Sequence, residues 1–232
     1  MYRSIILFTV TTILATTAVA QEEEIYFDTG GEFIFSWASV NNDGVEGGVI
    51  TRFSAFFHLQ LLASRDFNRN FGVFWGLSMR NIGFIYDVPD SANTRKKYRN
   101  YTLGIPVGIK LGNLNRTFIY TGYELEIPIN YKEKTFFNEK KVDKFNVWFS
   151  DRSPSVYHTL FVGLQSRRGL NLKLKYYFTN FFNQDFEENI AGTIVKPFEN
   201  FQANVFYISL NIDLFRNTSF YLDDEWRPVA SK

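Results

Sequence analysis

The sequence has no cysteine among its 232 residues and only two histidines. The lack of cysteine excludes disulfides, thiolate metal sites and acylation of a lipobox cysteine. Basic and acidic residues number 25 and 24, so there is neither a basic field for nucleic acid nor an acidic tail. No long uncharged apolar run follows residue 20, so no transmembrane helix is predicted after that point.

Motifs that mark catalytic centres are missing as well. The sequence contains no Gly-x-Ser-x-Gly nucleophile elbow, no His-Glu-x-x-His helix motif and no phosphate-binding loop. No group of histidines and carboxylates has the spacing of metal ligands. The sequence therefore predicts no enzyme, no cofactor and no metal site.

Aromatic residues, in contrast, are abundant. The chain has 26 Phe, 13 Tyr and 4 Trp, or 19% aromatic residues, which is more than one compact soluble core needs. Rings in excess of a core must face something else, and lipid is the obvious candidate. A chain of this length is expected to form one domain.

The first twenty residues have the parts of a secretory signal peptide. Arg3 is followed by a short apolar stretch that begins at Ile5, and the segment ends Ala18-Val19-Ala20. Residues 1–20 are therefore predicted to be removed near Ala20, and the remaining chain to be exported.

The rest of the chain alternates apolar and polar residues with period two, which is typical of β-strands. Eight candidate strands cover 32–39, 49–62, 71–86, 98–111, 116–130, 155–167, 170–178 and 206–214. Most of them reach the roughly 9–11 residues with which a tilted strand crosses a bilayer. The predicted fold is all-β: an eight-stranded antiparallel up-and-down transmembrane β-barrel.

The connections between these strands alternate in length. Short turns are predicted at 64–66, 112–115 and 167–169, and long loops at about 87–96, 131–154 and 180–201. Short turns on one rim and long loops on the other are typical of an outer-membrane barrel, with the short turns in the periplasm. The barrel is assigned to 32–215, between a periplasmic N-terminal segment at 21–31 and a periplasmic tail at 216–232.

A soluble lipocalin-like barrel in the periplasm is the main alternative, with apolar residues inside and polar residues outside. Two features disfavour it. The polar face carries many small residues, such as Gly104 and Gly108, which suit a narrow interior. The apolar face carries aromatic residues of the kind that form membrane girdles, such as Trp37, Trp75 and Tyr101.

Charged side chains on the polar face would point into the lumen of a membrane barrel. Unpaired charges there would be costly, so we expect a network of ion pairs that fills the barrel. A narrow conducting pore or a proton path is the alternative. The expected lumen residues are Glu32, Arg52, His58, Arg80, Lys110, Glu124, Glu126, Lys173, Lys175 and Asp213.

A lipid-modifying barrel enzyme is a weaker alternative. Such an enzyme needs a Ser/His pair, and His58 has the lumen serines Ser36, Ser54 and Ser209 as candidates. The second histidine, His158, is predicted on the opposite, outward face. No catalytic residue is therefore assigned.

Two prolines fall in adjacent predicted strands, at Pro106 and Pro128. Proline cannot donate a hydrogen bond to a β-ladder, so both are expected at bulges or at distorted pairing. Their proximity indicates a local bend or a gap in the barrel wall.

The residues Ile105-Pro106-Val107-Gly108-Ile109-Lys110, a short Asn-rich turn, and then Phe118-Ile-Tyr-Thr-Gly-Tyr-Glu carry a resemblance. This stretch resembles paired strands of the Bacteroidetes outer-membrane barrel family that includes PorT-like proteins. The resemblance covers about a sixth of the chain strongly. It implies a small OmpX-like barrel in a bacteroidete outer membrane; some relatives are linked to type IX secretion, and no catalytic residues carry over.

The long loops and the tail are rich in aromatic residues. Either the strands continue above the membrane and these rings pack on one another, or the rings contact a partner. The candidate partner contacts are Phe136, Phe137, Trp148, Phe181, Phe182, Phe220, Tyr221 and Trp226.

The expected function is that of a non-conducting accessory or structural subunit of an outer-membrane complex, in secretion or barrel assembly. Expected partners are outer-membrane lipid and lipopolysaccharide, together with other outer-membrane or periplasmic proteins, and no nucleic acid. A narrow solute pore and a lipid-modifying enzyme remain the alternatives.

Overall fold

A computed structural model describes residues 25–89, 91, 93–166 and 170–213. The predicted signal peptide, the residues after 213 and the turn at 167–169 lie outside these residues. The strands are β1 (Ile25–Asn42), β2 (Val45–Glu46), β3 (Gly48–Ile50), β4 (Arg52–Ser54), β5 (Leu59–Asn68), β6 (Phe71–Asp87), β7 (Thr94–Asn113), β8 (Thr117–Phe137), β9 (Lys140–Trp148), β10 (Tyr157–Ser166), β11 (Leu170–Tyr177), β12 (Glu188–Ile190), β13 (Thr193–Val195) and β14 (Phe201–Asp213). Within the described ranges, no helix is long and apolar enough to cross a membrane.

Eight of these strands pair in a closed ring. The order around the ring is β1, β5, β6, β7, β8, β10, β11 and β14, and β14 pairs with β1 to close it. Each strand of the ring pairs antiparallel with the next ring strand along the chain, and the last pairs with the first. This confirms the predicted eight-stranded up-and-down barrel.

The lower rim, where the turns are tight, differs from the predicted boundaries. β1 begins at Ile25, before the predicted start at residue 32, and Ile25 pairs with Arg65 of β5. That pairing extends β5 through the predicted turn at 64–66, so this turn prediction is wrong. The chain reverses instead at Arg69 and Asn70, where the Asn70 amide donates to the Asn68 side chain at 2.8 Å. The predicted turn at 112–115 agrees with the structure, since β7 ends at Asn113 and β8 begins at Thr117.

At the opposite, upper rim the strands run well past the ring. β7 has 20 residues and β8 has 21, about twice what a tilted crossing needs. Most of the predicted loop at 131–154 is therefore strand, because β8 continues to Phe137 and returns as β9. The ends of β6, β7 and β8 form a sheet above the ring, and β9 lies at its edge.

Both prolines lie where ladder pairing is disturbed, as the sequence predicts. The pairing of β7 with β8 shifts beside Pro128, so that one extra residue, Ile129, bulges between the partners of Tyr101 and Thr102. Pro106 lies in a stretch of β7 that has no paired residues in β6, between the pairs Trp75–Val107 and Ser78–Gly104. The two prolines thus weaken the ladders on both sides of β7.

The interior has three layers. An aromatic cluster fills the upper end and includes Phe84, Tyr98 and Phe182. A smaller one near the lower end includes Phe74 and Phe161. Charged side chains lie between the two clusters, and this middle layer contains most of the residues singled out in the sequence.

Candidate functional site

Arg80 is the centre of the charged layer. Its guanidinium lies 3.0 Å from Glu32 (Nη1–Oε2), 3.5 Å from Glu124 (Nη2–Oε2) and 3.7 Å from Glu126 (Nε–Oε1). The three carboxylates come from two strands that are not neighbours in the ring, β1 and β8, while Arg80 is on β6. One planar cation therefore joins three separate parts of the wall across the lumen.

Two lysines of β11 complete this layer. Lys173 contacts Glu32, and Lys175 contacts Glu126 and lies 2.6 Å from Glu124 (Nζ–Oε2). Lys173 and Lys175 are two residues apart, as are Glu124 and Glu126, so the pleat of each strand turns both members of a pair inward. The sequence pattern thus explains why these side chains share one face.

The six residues form a balanced set that we call the charge cluster: Glu32, Arg80, Glu124, Glu126, Lys173 and Lys175. Each is at most 5% exposed. Three carboxylates face three cations, so the charge cluster itself is neutral. Two hydroxyl groups also donate to Glu126: Thr102 Oγ1 at 2.6 Å and Tyr177 OH at 2.8 Å.

Arg52 and His58 belong to a different feature, a gap in the wall. β3 pairs with residues 85–87 of β6, and β5 pairs with residues 71–79, which leaves residues 80–84 of β6 without a ladder partner on this side. The chain between β4 and β5 makes a short excursion at 55–58, where Phe57 has a φ of 64°. We call this feature the wall gap.

Side chains replace the missing ladder bonds across the wall gap. Arg52 Nη1 donates to the Asn81 carbonyl at 3.1 Å, and Arg52 Nη2 donates to Asn81 Oδ1 at 2.6 Å. The Asn81 amide donates to His58 Nδ1 at 3.3 Å, and Ser36 Oγ donates to the Gly83 carbonyl at 2.7 Å. Sequence reasoning placed Arg52 and His58 in the lumen but missed this role. The adjacent Phe56-Phe57 pair, which breaks the alternation, was the available signal.

The hydrogen bonds of His58 bear on the enzyme alternative. Because His58 Nδ1 accepts from the Asn81 amide, its proton is on Nε2, which donates to Ser54 Oγ at 2.7 Å. A histidine that donates to a serine hydroxyl cannot take the proton of that hydroxyl. Ser36 is engaged by Gly83, and His158 is exposed on the outer surface beside Tyr123. The geometry thus presents no activated Ser/His pair at His58.

Lys110 is separate from the charge cluster and lies near the lower rim. It contacts Tyr26 and lies 2.6 Å from Asp66 (Nζ–Oδ1). Asp213 lies opposite Gly30 at the end of β14, and its side chain is outside the described residues. A cavity of about 40 Å³ lies between this region and the charge cluster, bordered by Arg80 and Lys110. Such a cavity has room for a few water molecules.

A loop closes the upper end of the lumen. Phe181 and Phe182 follow β11, fold into the barrel and are each 1% exposed. Phe182 packs on Phe198 and Tyr98, with ring centroids 4.4 and 4.9 Å away. Tyr157 OH also donates to the Phe181 carbonyl at 2.7 Å. Phe181 and Phe182 were expected as partner contacts, and their burial contradicts that expectation: they form an internal plug.

The other candidate contacts are distributed differently. Trp148 is 63% exposed and Phe137 is 48% exposed, while Phe136 is half-buried on the sheet above the ring. Phe220, Tyr221 and Trp226 lie outside the described residues. Of the eight rings, the structure therefore presents Trp148 and Phe137 as the accessible ones in the part it describes.

The outer surface of the ring is apolar. On β7 the side chains of Leu103, Ile105, Val107, Ile109 and Leu111 are exposed by 37% to 53%. Other strands of the ring contribute further exposed residues to the same belt, among them Leu77, Ile119, Val162, Leu172 and Ile208. Bulky apolar residues outside and charges inside are the reverse of a soluble barrel.

Metal binding has no structural support in the residues that the structure describes, where no group of three or more His, Asp or Glu side chains could hold an ion. The buried carboxylates are already paired with cations.

No protein-family model and no curated protein matches the chain. Solved structures similar to it include Ail, the attachment invasion locus protein of Yersinia pestis, at 12% identity and a TM-score of 0.36, covering 83% of this chain and 99% of that one. Neisserial surface protein A is similar at 11% identity and a TM-score of 0.36, covering 81% and 97%. OprG of Pseudomonas aeruginosa is similar at 12% identity and a TM-score of 0.34, covering 83% and 97%. At these values the likenesses carry no conclusion about what this chain does.

Proposed function

We propose that this protein is an outer-membrane β-barrel with a sealed lumen, which acts as an accessory or structural subunit of an outer-membrane complex. Secretion and barrel assembly are the proposed settings. The resemblance of the strands around Pro106 to PorT-like barrels favours secretion, since some of those relatives are linked to it.

The apolar belt supports membrane insertion. On β7 it runs from Leu103 to Leu111, close to the roughly 9–11 residues of a tilted crossing. Exposed to water, an apolar surface that surrounds the whole ring would aggregate, and lipid is the solvent that fits it. By the usual arrangement of such barrels, the tight turns face the periplasm and the strand extensions face outward.

The sealed lumen is the observation that carries the non-conducting part of the proposal. The charge cluster closes the middle of the barrel, and the Phe181–Phe182 plug closes its upper end. The cavity of about 40 Å³ between the cluster and the lower rim is too small for a solute path. An ion would have to break several buried ion pairs to pass.

The edge of the upper sheet supports the subunit role. β9 pairs with β8 along one side, and within the described residues no strand pairs with its other side. An unprotected edge offers backbone groups to a strand of another chain. Trp148 and Val142, 63% and 60% exposed, lie on this edge strand and would add apolar contacts.

Two experiments on the full chain test the proposal. A tagged copy is purified from native outer membranes in mild detergent, and its partners are identified by mass spectrometry. We expect a stoichiometric set of partners to co-purify with the wild type. Their recovery should fall in Trp148→Ala and stay unchanged in the matched control Trp75→Ala, which alters a belt residue. Recovery of the barrel alone, even after crosslinking, would overturn the subunit role.

The second experiment measures single-channel currents in planar bilayers. We expect no steady conductance from the wild-type protein, because the lumen is closed at two levels. Regular conductance steps would contradict the sealed lumen and favour the narrow solute pore instead.

A further inference from the structure

Cations are concentrated on the outer face of the upper sheet, directly above the apolar belt. Tyr98 and Asn100 of β7 point inward and are buried, so Arg95, Lys97 and Arg99 point outward. The register carries this face across to β8 and β9. We call the set the basic ladder: Arg95, Lys97, Arg99, Lys132, Lys134, Lys141 and Lys144.

Like charges stand directly opposite one another in the basic ladder. Arg99 pairs with Lys132, Lys97 with Lys134, and Lys134 with Lys144. Like charges at opposed positions destabilise a β-sheet. The pKa values of the lysines are consistent with this repulsion. Burial, together with the nearby cations Arg99, Arg52 and Lys134, lowers the pKa of Lys97 to about 8. Burial and the adjacent cations also lower the pKa of Lys134.

The chain supplies few anions to offset these charges. Asp87 is engaged by Arg95 at 2.8 Å, and Glu133 points inward and pairs with Lys96 at 3.0 Å. Among the described residues, none of Lys97, Arg99, Lys132 and Lys134 has a carboxylate within 4.0 Å. The Nε atom of Arg99 is buried and has no hydrogen-bond partner there. In the part of the chain that the structure describes, Lys97, Arg99, Lys132 and Lys134 therefore form a cationic surface that no carboxylate contacts.

The position of the basic ladder just above the belt indicates which anions balance its positive charge. Lys132 Nζ lies 4.6 Å from the ring centroid of Tyr101, the outward aromatic residue just above Leu103 at the top of the belt. Arg99 and Lys97 follow at steps of about 7 Å along β7. Aromatic residues at a membrane boundary lie at the level of the headgroups, so the ladder begins where lipid phosphates would be.

We propose that the basic ladder binds the phosphorylated headgroups of glycolipids in the leaflet around the upper end of the barrel. This inference rests on the membrane insertion proposed above. Phosphate oxygens would accept from Arg99 and the lysines and relieve their repulsion, as charge-assisted hydrogen bonds do. The continuity of the ladder with the belt favours a lipid over a soluble polyanion, because a lipid occupies both surfaces at once.

The test uses the folded full chain in a zwitterionic detergent, with bisphosphorylated lipid A as the probe. The temperature of unfolding is followed as lipid A is added, for the wild type and for the triple variant Lys97→Gln, Arg99→Gln, Lys134→Gln. The matched control Arg69→Gln, Arg116→Gln, Lys196→Gln removes the same charge from exposed positions away from the ladder. Dephosphorylated lipid A, inorganic phosphate and heparin are added in parallel.

We expect lipid A to raise the unfolding temperature of the wild type and the control, with an apparent affinity at least about tenfold weaker in the triple variant. Equal stabilisation by dephosphorylated lipid A, or an unchanged triple variant, would overturn the inference. Stabilisation by heparin but not by lipid A would assign the ladder to a soluble polyanion and likewise overturn it. Insertion into phosphocholine vesicles is measured separately. Failure there would remove the proposed membrane function itself, whereas insertion without headgroup selectivity would remove only this inference.

Discussion

Arg80 of β6 and Glu32 of β1 meet across the lumen at 3.0 Å, although the two strands are not neighbours in the ring. Each is almost completely buried, with side-chain exposures of 2% and 1%. Arg80 contacts two further carboxylates, so its removal would leave three acids facing two lysines. The charge cluster depends on this one guanidinium for its neutrality.

Replacement of Arg80 with methionine is expected to lower the free energy of unfolding by about 3–5 kcal/mol, because three buried carboxylates then share two lysines and one buried negative charge is left uncompensated. Urea unfolding in detergent micelles measures the loss. The double variant Arg80→Met, Glu126→Gln restores charge balance, because it leaves the pairs Glu32–Lys173 and Glu124–Lys175, and should recover part of the stability. Arg116→Met, at an exposed turn, is the control. Equal stability of the single and double variants would contradict the charge argument.

Phe182→Ala removes the central ring of the plug. It should cost about 3–5 kcal/mol, as large-to-small changes at buried aromatic residues do. The same variant should still show no steady conductance in planar-bilayer recordings, because the charge cluster closes the middle of the barrel independently of the plug. Phe56→Ala is the matched control, since Phe56 is 76% exposed on the outer surface. A plug without a structural role would give both variants the same stability.

Arg52→Met tests the wall gap. Arg52 supplies two hydrogen bonds to Asn81, and their loss leaves buried acceptors unsatisfied, at a cost of about 1–3 kcal/mol. The effect should be local, so amide hydrogen exchange should accelerate at residues 80–84 of β6 and stay unchanged in β10 and β11. Uniform acceleration around the ring would instead show that Arg52 supports the barrel as a whole.

Lys97 gives a pH dependence of defined sign. Its pKa of about 8 in the folded protein is below the usual value of 10.5, so the unfolded chain binds more protons between these two values. The stability of the folded protein therefore rises as pH increases from about 8 to 10.5. Below about 8 the folded protein carries the full cost of holding Lys97 in its charged form. In a zwitterionic detergent, Lys97→Gln should exceed the wild type in stability at pH 7, and the difference should shrink at pH 10. A difference that does not vary with pH would contradict this assignment.

The barrel itself was predictable from the sequence because the pleat of a strand sends alternate residues to opposite faces. That single rule placed Glu124 and Glu126, and Lys173 and Lys175, on the lumen side. It also placed Leu103 to Leu111 on the outside. The strand extensions beyond the ring were foreseen only as one of two alternatives, since period two does not show where a bilayer ends.

Features that depend on contacts between distant segments were not predictable in the same way. The turn at 69–70 is fixed by the pairing of β5 with the early start of β1, which polar residues such as Asp28 obscure. The burial of Phe181 and Phe182 depends on a loop folding back into the lumen, whereas their position in a predicted long loop favoured an exposed location. The wall gap could not be predicted because Arg52 and His58 occupy positions at which the alternation expects lumen residues. Their hydrogen bonds to the backbone of β6 leave no trace in that alternation.

The arrangement of the charge cluster has a consequence for how the barrel forms. Its six members come from β1, β6, β8 and β11. A sheet that contains only some of these strands therefore holds acids or bases whose partners are on strands that have not yet paired. A slip of one residue in any of these strands would point its charges into lipid. Closure of the cylinder and neutralisation of the charge cluster are thus a single event, which makes correct assembly close to all-or-none.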